Sequence, residues 1–240
     1  EVLVPFKLTE VVTGSRTRYD TIIVDEGQDF KPEWLDVSSE FLSDPKEGGF
    51  VVFYDDAQDL FKRWSDLPWG GEGVSRKSLT KNCRNTKLIV DFINDETGSE
   101  MKSAPRSPDG LNVIERVFEN QGSSQGFVKK TLSEMLAQGV EPQKIILLIN
   151  ADRGVSSIGD LKHVSGVKIE DMGRSYRDRS KSIRYTSINR FKGLEADAVF
   201  VLDLPAATAK DDSNLYTQAS RAQTHLIVVR RQDVTEIWAP

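Results

Sequence analysis

The chain has 240 residues, of which 38% are hydrophobic and 29% are charged, and its net charge is −5. This composition predicts a globular protein of one large or two small domains, in which any nucleic-acid contact comes from a local basic groove. A single cysteine and two histidines exclude a disulfide framework and a multi-cysteine zinc site. No apolar run reaches the ~18 residues of a membrane span, so we expect a soluble, cytoplasmic protein.

The first part of the chain is predicted to contain strands that end in acidic residues. Thr21–Val24 has the pattern of a strand buried on both faces, with Asp25 and Glu26 at its carboxyl end. A helix over residues 32–42 should follow, because a proline opens it. Residues 50–54 then repeat the pattern of an apolar strand followed by two aspartates.

The rest of the chain alternates between strand and helix patterns. The predicted strands are residues 78–81, 113–118, 144–150, 183–187, 198–204 and 226–230, and the predicted helices are 87–96, 123–138, 155–163 and 212–221. Residues 98–110 contain two prolines and are the best candidate for a domain boundary or crossover, and residues 173–182 should form an exposed loop. This alternation predicts an α/β protein with a mostly parallel sheet.

The acidic pair after the first strand is a candidate catalytic site. In open α/β sheets, ligands bind beyond the carboxyl ends of the strands, which is where Asp25 and Glu26 are expected. Two carboxylates there suit a metal ion and a general base. The alternative is a solvated turn after a core strand, since acidic residues are common in turns.

Five motifs near predicted strand or helix ends occur in one order. They are VDEGQDF (24–30), YDDAQDLF (54–61), NCRNT (82–86), FKGLEADAVFV (191–201) and LYTQASRA (215–222). Together they resemble motifs II to VI of superfamily 1 helicases of the UvrD/Rep type, most of all the compact helicases often joined to a nuclease-related domain. The resemblance covers nearly the whole chain. It implies RecA-like, P-loop NTPase-type parallel sheets, with the carboxyl-terminal portion of a first motor domain and its crossover in residues 1–108 and a second motor domain in 109–240.

The resemblance implies catalytic residues for ATP hydrolysis with Mg²⁺. Asp25 would hold the metal, and Glu26 would polarise the attacking water. Arg84 and Arg221 would reach the γ-phosphate, because phosphoryl transfer needs cations against the charge that spreads over its oxygens. The alternative for either arginine is a solvent-facing position on a helix.

Further residues would contact the nucleotide according to the same resemblance. Gln28 and Gln58 would bind water or the γ-phosphate, whereas the alternative is that they are surface glutamines in turns. Glu195 would accept a hydrogen bond from the ribose, next to a tight turn at Lys192 and Gly193. A generic Lys-Gly turn is the alternative for that pair.

Single-stranded DNA is the predicted partner, although the residues do not distinguish it from RNA. Phe61 matches the family's stacking aromatic, and basic and aromatic residues follow it at Arg63 and Trp64. A core or interface position is the alternative for Trp64. Asn189 stands where the family usually has a histidine that touches nucleic acid, and Cys83 replaces an aromatic residue that usually lies against adenine.

The sequence contains no GxxxxGK[ST] motif, which in the family supplies the phosphate cradle. We therefore expect a fragment that is inactive alone and a longer parent that is an ATP-dependent helicase moving from 3′ toward 5′, with DNA repair as its expected setting. The space between the fourth and fifth helicase motifs, NCRNT and FKGLEADAVFV, is residues 87–190. It is too short for the large inserted subdomain of bigger relatives. Two alternatives stay open: a degenerate ATPase-like module that binds nucleic acid or protein, and an NTPase switch that does not translocate.

Overall fold

The computed structural model describes residues 14, 17–44, 47–55, 74–75, 77–173, 181–206 and 213–235. The chain divides into two compact units, Glu1–Ser78 and Leu79–Pro240. Residues 79–108 therefore group with the second unit. The assignment of residues 1–108 and 109–240 to two motor domains stays a prediction.

The first unit contains a small parallel sheet and one helix. Strand β1 is Thr21–Val24, helix α1 is Pro32–Ser39 and strand β2 is Gly49–Val52, with a 3-10 turn at Gly27–Asp29. Strands β1 and β2 run parallel. Helix α1 starts where expected, because Pro32 occupies its first turn and needs no hydrogen-bond acceptor there.

Strands β1 and β2 differ from the prediction in their burial. Ile23 is 65% exposed and Val51 is 40% exposed, so the expectation that β1 is buried on both faces is wrong, as is that of a buried second strand. Among the described residues β1 pairs only with β2, and a strand is buried on both faces only where other elements cover both.

Helix α1 ends three residues before the predicted position. The hydroxyl of Ser38 donates to the carbonyl of Trp34, and that of Ser39 donates to the carbonyl of Asp36. Such local side-chain bonds to the backbone compete with continuation of the helix.

The second unit is built around a large sheet. Its strands are β3 (Lys81–Asn82), β4 (Lys102–Ser103), β5 (Ile114–Phe118), β6 (Ile145–Ile149), β7 (His163–Val164), β8 (Val167–Asp171), β9 (Ile183–Thr186), β10 (Ala196–Pro205) and β11 (Ala222–Arg231). Its helices are α2 (Lys87–Thr97), α3 (Gln121–Ala137), α4 (Ile188–Phe191) and α5 (Ser213–Ala219), with a 3-10 turn at Pro142–Lys144. In the described part, seven strands form one sheet in the order β5-β11-β10-β6-β9-β8-β7, and only the β7–β8 pair is antiparallel. The predicted α/β class with a mostly parallel sheet is confirmed.

The core of the second unit lies against the middle of this sheet. Strand β6 is buried at every position, as a parallel strand covered on both faces requires. Val128 and Leu132 of helix α3 belong to the same buried cluster. The ends of the helices follow local signals: Asn120 caps α3 by accepting from Ser123 N at 3.1 Å, and Gly98 ends α2 with a left-handed φ of 69°.

One predicted helix is wrong. Residues 155–160 form turns, and His163 begins strand β7. Ser156 and Ser157 are buried, and both of their hydroxyls donate to the carboxylate of Asp203 at 2.5 Å, as does the Ser157 backbone N–H at 2.8 Å. These tertiary bonds override a weak helical pattern, because serine side chains satisfy polar groups equally well outside a helix.

The sequence patterns also missed the hairpin of β7 and β8. Of the predicted exposed loop at residues 173–182, residues 174–180 lie outside the described residues. At its carboxyl end, Ser182 is buried. No described helix is long and apolar enough to cross a membrane.

Candidate functional site

The acidic pair lies on a tight turn at the carboxyl end of β1. Asp25 is exposed, and its Oδ1 accepts from the backbone N–H of Glu26 at 3.0 Å. Glu26 has a left-handed backbone with φ of 52°, which turns the chain sharply after the strand. Gly27 then approaches β2 closely, donating to the carbonyl of Phe53 at 2.8 Å. A Cβ on Gly27 would collide with Val52, so the turn requires glycine.

Gln28 holds the Glu26 carboxylate in place. Its side chain is only 1% exposed, so the alternative of a surface turn is wrong. Its Nε2 donates to Glu26 Oε2 at 2.5 Å, and its Oε1 accepts from the backbone N–H of Asp55 at 3.0 Å. One amide thus connects the acidic turn to the chain after β2. Contact of Gln28 with water or phosphate stays a prediction.

The acidic pair has the ligand chemistry that Mg²⁺ requires. Magnesium prefers oxygen ligands and is usually bound through one or two carboxylates plus substrate phosphates. Asp25 and Glu26 supply carboxylate oxygens at a sheet edge, and Asp25 is open to solvent. Among the described residues no group of three or more His, Cys, Asp or Glu side chains could hold a metal by itself. The residues therefore fit a metal that arrives with a phosphate ligand.

In the second unit, Arg84 lies in the turn between β3 and α2 and pairs with Glu195. Arg84 Nε is 2.9 Å from Glu195 Oε2, and each side chain is 43% exposed. Gln223 Nε2 donates to the other carboxylate oxygen of Glu195 at 2.7 Å. An exposed pair of this kind contributes about 1 kcal/mol or less, so it can be exchanged for another partner.

Two asparagines shape the turn that carries Arg84. Asn82 Oδ1 accepts from the backbone N–H of Arg84 at 3.0 Å and from that of Asn85 at 2.9 Å. Asn85 is 2% exposed, and its Nδ2 donates to the carbonyls of Ser220 and Ala222. The turn is therefore attached to the residues on both sides of Arg221.

Arg221 lies between α5 and β11 and is only 1% exposed. Its Nε donates to the carbonyl of Thr217 at 3.0 Å, and its own carbonyl accepts from the backbone N–H of Ala196 at 3.1 Å. The solvent-facing alternative is wrong for Arg221, whereas Arg84 is half-exposed. The structure thus brings together Arg84, Glu195 and Arg221, which come from three separate motifs.

The remaining predicted residues have different outcomes. Lys192 and Gly193 form the expected turn after α4, where Gly193 has a φ of 76°. Asn189 lies on α4 and is exposed. The predicted positions in 56–73 lie outside the described residues; they are Gln58, Phe61, Arg63 and Trp64.

Sequence reasoning missed three residues of the second unit that organise the cluster of Arg84, Glu195 and Arg221; they are Asn82, Asn85 and Gln223. The only available signal was that Asn82 and Asn85 flank Arg84 within NCRNT, directly before a predicted helix, where asparagine is common. Nothing in the sequence indicated Gln223, because its partner Glu195 is distant along the chain.

The solved structures that are similar to this chain include two helicase structures. The C-terminal domain of a possible DNA helicase from Lactobacillus plantarum WCFS1 is 22% identical with a TM-score of 0.46, over 64% of this chain and 90% of that one. The helicase nonstructural protein 10 of an arterivirus is 16% identical with a TM-score of 0.41, over 90% of this chain and 40% of that one. No curated protein matches the chain by sequence.

A family model described as the UvrD-like helicase C-terminal domain matches residues 182–229. The matched segment runs from the start of β9 into β11 and contains Lys192, Glu195 and Arg221. The predicted resemblance to a UvrD/Rep-type fragment and the predicted RecA-like fold class are confirmed. Residues 182–229 of this chain are therefore similar to the UvrD-like helicase C-terminal domain.

Proposed function

We propose that this chain is part of an ATP-dependent helicase or translocase that couples ATP hydrolysis to 3′–5′ movement on single-stranded DNA. The observation that carries the proposal is the connected network of Arg84, Glu195 and Arg221 in the second unit. Residues from three distant motifs converge there, and phosphoryl transfer uses just this combination of cations and polar groups. A binding module that had lost its activity would have no need to keep them together.

The first unit would contribute the groups that activate water. Glu26 would accept a proton from the attacking water, and the bond from Gln28 holds its carboxylate in one orientation. Asp25, exposed at the end of β1, would bind the metal. Bound Mg²⁺ would neutralise charge on the phosphate oxygens.

The second unit would contribute the positive charges. Arg84 would exchange Glu195 for a phosphate oxygen, because its pair with Glu195 is half-exposed and weak. Arg221 would act from its buried position, where a guanidinium is screened little by solvent. Once Arg84 has moved, Glu195 would be free to accept a hydrogen bond from a ribose hydroxyl. The phosphate cradle would come from sequence outside these residues.

The proposal is tested by ATPase measurements on the full-length protein and on the isolated 240 residues. In the full-length protein, Glu26→Gln should lower kcat about 100-fold or more, because general base catalysis contributes that much. Glu33→Gln is the matched control, since Glu33 is an exposed acid on helix α1. The isolated chain should show no appreciable turnover, and robust magnesium-dependent hydrolysis by it would contradict this account.

Single-stranded DNA separates the proposal from a switch that does not translocate. A motor should hydrolyse ATP much faster when single-stranded DNA is present, whereas a switch should hardly respond. An RNA strand of the same sequence serves as the comparison. Absence of ATPase in the full-length protein under all these conditions would favour the degenerate binding module.

A further inference from the structure

We propose that Asn85 is a positioning residue that holds the backbone at Arg84 and the backbone at Arg221 in one fixed arrangement. This inference rests on the proposed function, because it assigns a role in orienting the two arginines of the candidate ATPase. Asn85 would touch neither nucleotide nor metal. It would act through the backbone next to Arg84 and the backbone on both sides of Arg221.

The geometry places one side chain between two motifs. Asn85 Nδ2 donates to the carbonyl of Ser220 at 3.0 Å and to that of Ala222 at 2.5 Å. These carbonyls belong to the residues directly before and after Arg221. Asn85 itself directly follows Arg84 in the chain. A single amide group therefore links the backbone next to Arg84 to two carbonyls that are 135 and 137 residues away in the sequence.

The hydrogen bonds of Asn85 are those that only a side-chain amide can make. Its Nδ2 uses both of its donors on the two carbonyls, and its Oδ1 accepts from Asn82 Nδ2 at 2.7 Å. The side chain is 2% exposed, so water does not replace a lost partner. An aspartate would have the same shape but would direct a carboxylate oxygen at two carbonyl oxygens. A serine would be too short to reach both.

Neighbouring hydrogen bonds join the Arg84 segment to the Arg221 segment at further points. Thr86 N donates to the carbonyl of Gln223 at 3.2 Å, so the residue after Asn85 is bonded to the residue after Ala222. Gln223 in turn binds Glu195, the partner of Arg84. A shift at Asn85 would therefore displace Arg84 and Arg221 relative to each other.

The test compares Asn85 variants with a matched control in the full-length protein. Asn85→Asp should lower kcat for MgATP about 10- to 100-fold, because a displacement of about 1 Å in a positioning shell has that effect. Asn85→Ser, which keeps one donor, should give a smaller loss. Asn94→Asp is the control, because Asn94 also uses its amide on backbone groups, but these belong to Met101 and not to the Arg221 segment.

Two further readouts distinguish positioning from a loss of fold. The variants should discriminate less between a non-hydrolysable ATP analogue and ADP, because the arginines would act on the γ-phosphate, whereas partial unfolding would weaken both ligands equally. Asn85→Asp should also add little to the defect of Arg221→Ala if it acts through Arg221. Thermal unfolding of each variant shows whether it is folded. If Asn85→Asp does not fold, Asn85→Ser carries the test.

The outcomes separate this inference from the proposed function. A loss of kcat and of analogue discrimination in both Asn85 variants, without one in Asn94→Asp, supports it. Normal kcat in both Asn85 variants while Arg221→Ala is inactive overturns the inference and leaves the proposed function standing. Full activity of Arg221→Ala, or no ATPase in the unsubstituted protein, overturns the proposed function and the inference with it.

Discussion

At the scale of single residues, the acidic turn depends on Gly27 as much as on its carboxylates. Gly27 is buried against β2, and its backbone N–H donates to the Phe53 carbonyl. A side chain there would collide with Val52, so the turn could form only with a shift of the Val52 side chain or of β2. Asp25 and Glu26 are therefore placed by a residue that has no chemistry of its own.

Gly27→Ala should destabilise the first unit. We expect a loss of about 1–3 kcal/mol, the usual cost of overpacking a tight contact. Chemical denaturation followed by a probe in the first unit measures it. Gly126→Ala is the matched control: Gly126 lies in helix α3 with open space at its Cβ, so alanine should stabilise by about 0.5–1 kcal/mol. Equal midpoints for Gly27→Ala and the unsubstituted chain would mean that the turn tolerates a side chain.

At the scale of secondary structure elements, Asp203 connects β10 to the turns that replace the predicted helix. It is fully buried and has a φ of 65°, a conformation that aspartate adopts more readily than most residues. Its carboxylate accepts from Ser156 and Ser157, and Arg231 Nη1 lies 3.0 Å away. The buried charge is thus surrounded by donors, as burial of an ion requires.

Asp203→Ala should therefore be severely destabilising. The substitution leaves the buried hydroxyls of Ser156 and Ser157 without this acceptor. It also removes one partner of the buried Arg231, which keeps its bonds to Asp233 and to the Val155 carbonyl. Loss of a buried charged partner typically costs about 3–5 kcal/mol. Urea unfolding of the second unit measures the loss. Asp197→Ala on the same strand is the control, because Asp197 forms a half-exposed pair with Lys144 whose removal should hardly move the midpoint. Similar midpoints for the two variants would contradict a structural role for the Asp203 cluster.

At the scale of the whole molecule, the compact units divide the chain before β3 rather than near residue 108. Helix α2 accounts for this grouping, because it packs on α5 and β11 and buries Ile89, Val90 and Ile93. The buried Arg230 of β11 also forms an ion pair with the half-buried Glu96 of α2 at 2.8 Å. The packing of residues 79–108 thus places them in the second unit.

This division can be tested with two truncated chains. A fragment of residues 79–240 should fold and unfold cooperatively, whereas a fragment of 109–240 should have a lower unfolding midpoint, since it exposes the apolar surfaces of α5 and β11. Circular dichroism during thermal unfolding compares them. Equal midpoints would show that β3, α2 and β4 add nothing to the second unit and would favour the boundary near residue 108.

Local sequence patterns predicted much of the fold for physical reasons. The run Ile145–Ile149 is apolar throughout because a central parallel strand is covered on both faces. The start of α1 and the end of α2 follow from Pro32 and Gly98, whose backbone preferences act within a turn. The wrong helix at 155–163 and the missed β7–β8 hairpin depended on partners far along the chain, so no local pattern could reveal them.

The sequence and the tertiary structure also determined different features of the candidate site. By itself the sequence determined which chemical groups are present, the acids at Asp25 and Glu26 and the guanidinium groups at Arg84 and Arg221, because motifs preserve residue type and order. Only the tertiary structure decided that Gln28 is buried against Glu26 and that Asn85 is bonded on both sides of Arg221. The physical reason is range: composition and periodicity report on neighbours in the chain, whereas a buried amide finds its partners wherever the fold leaves carbonyls without one.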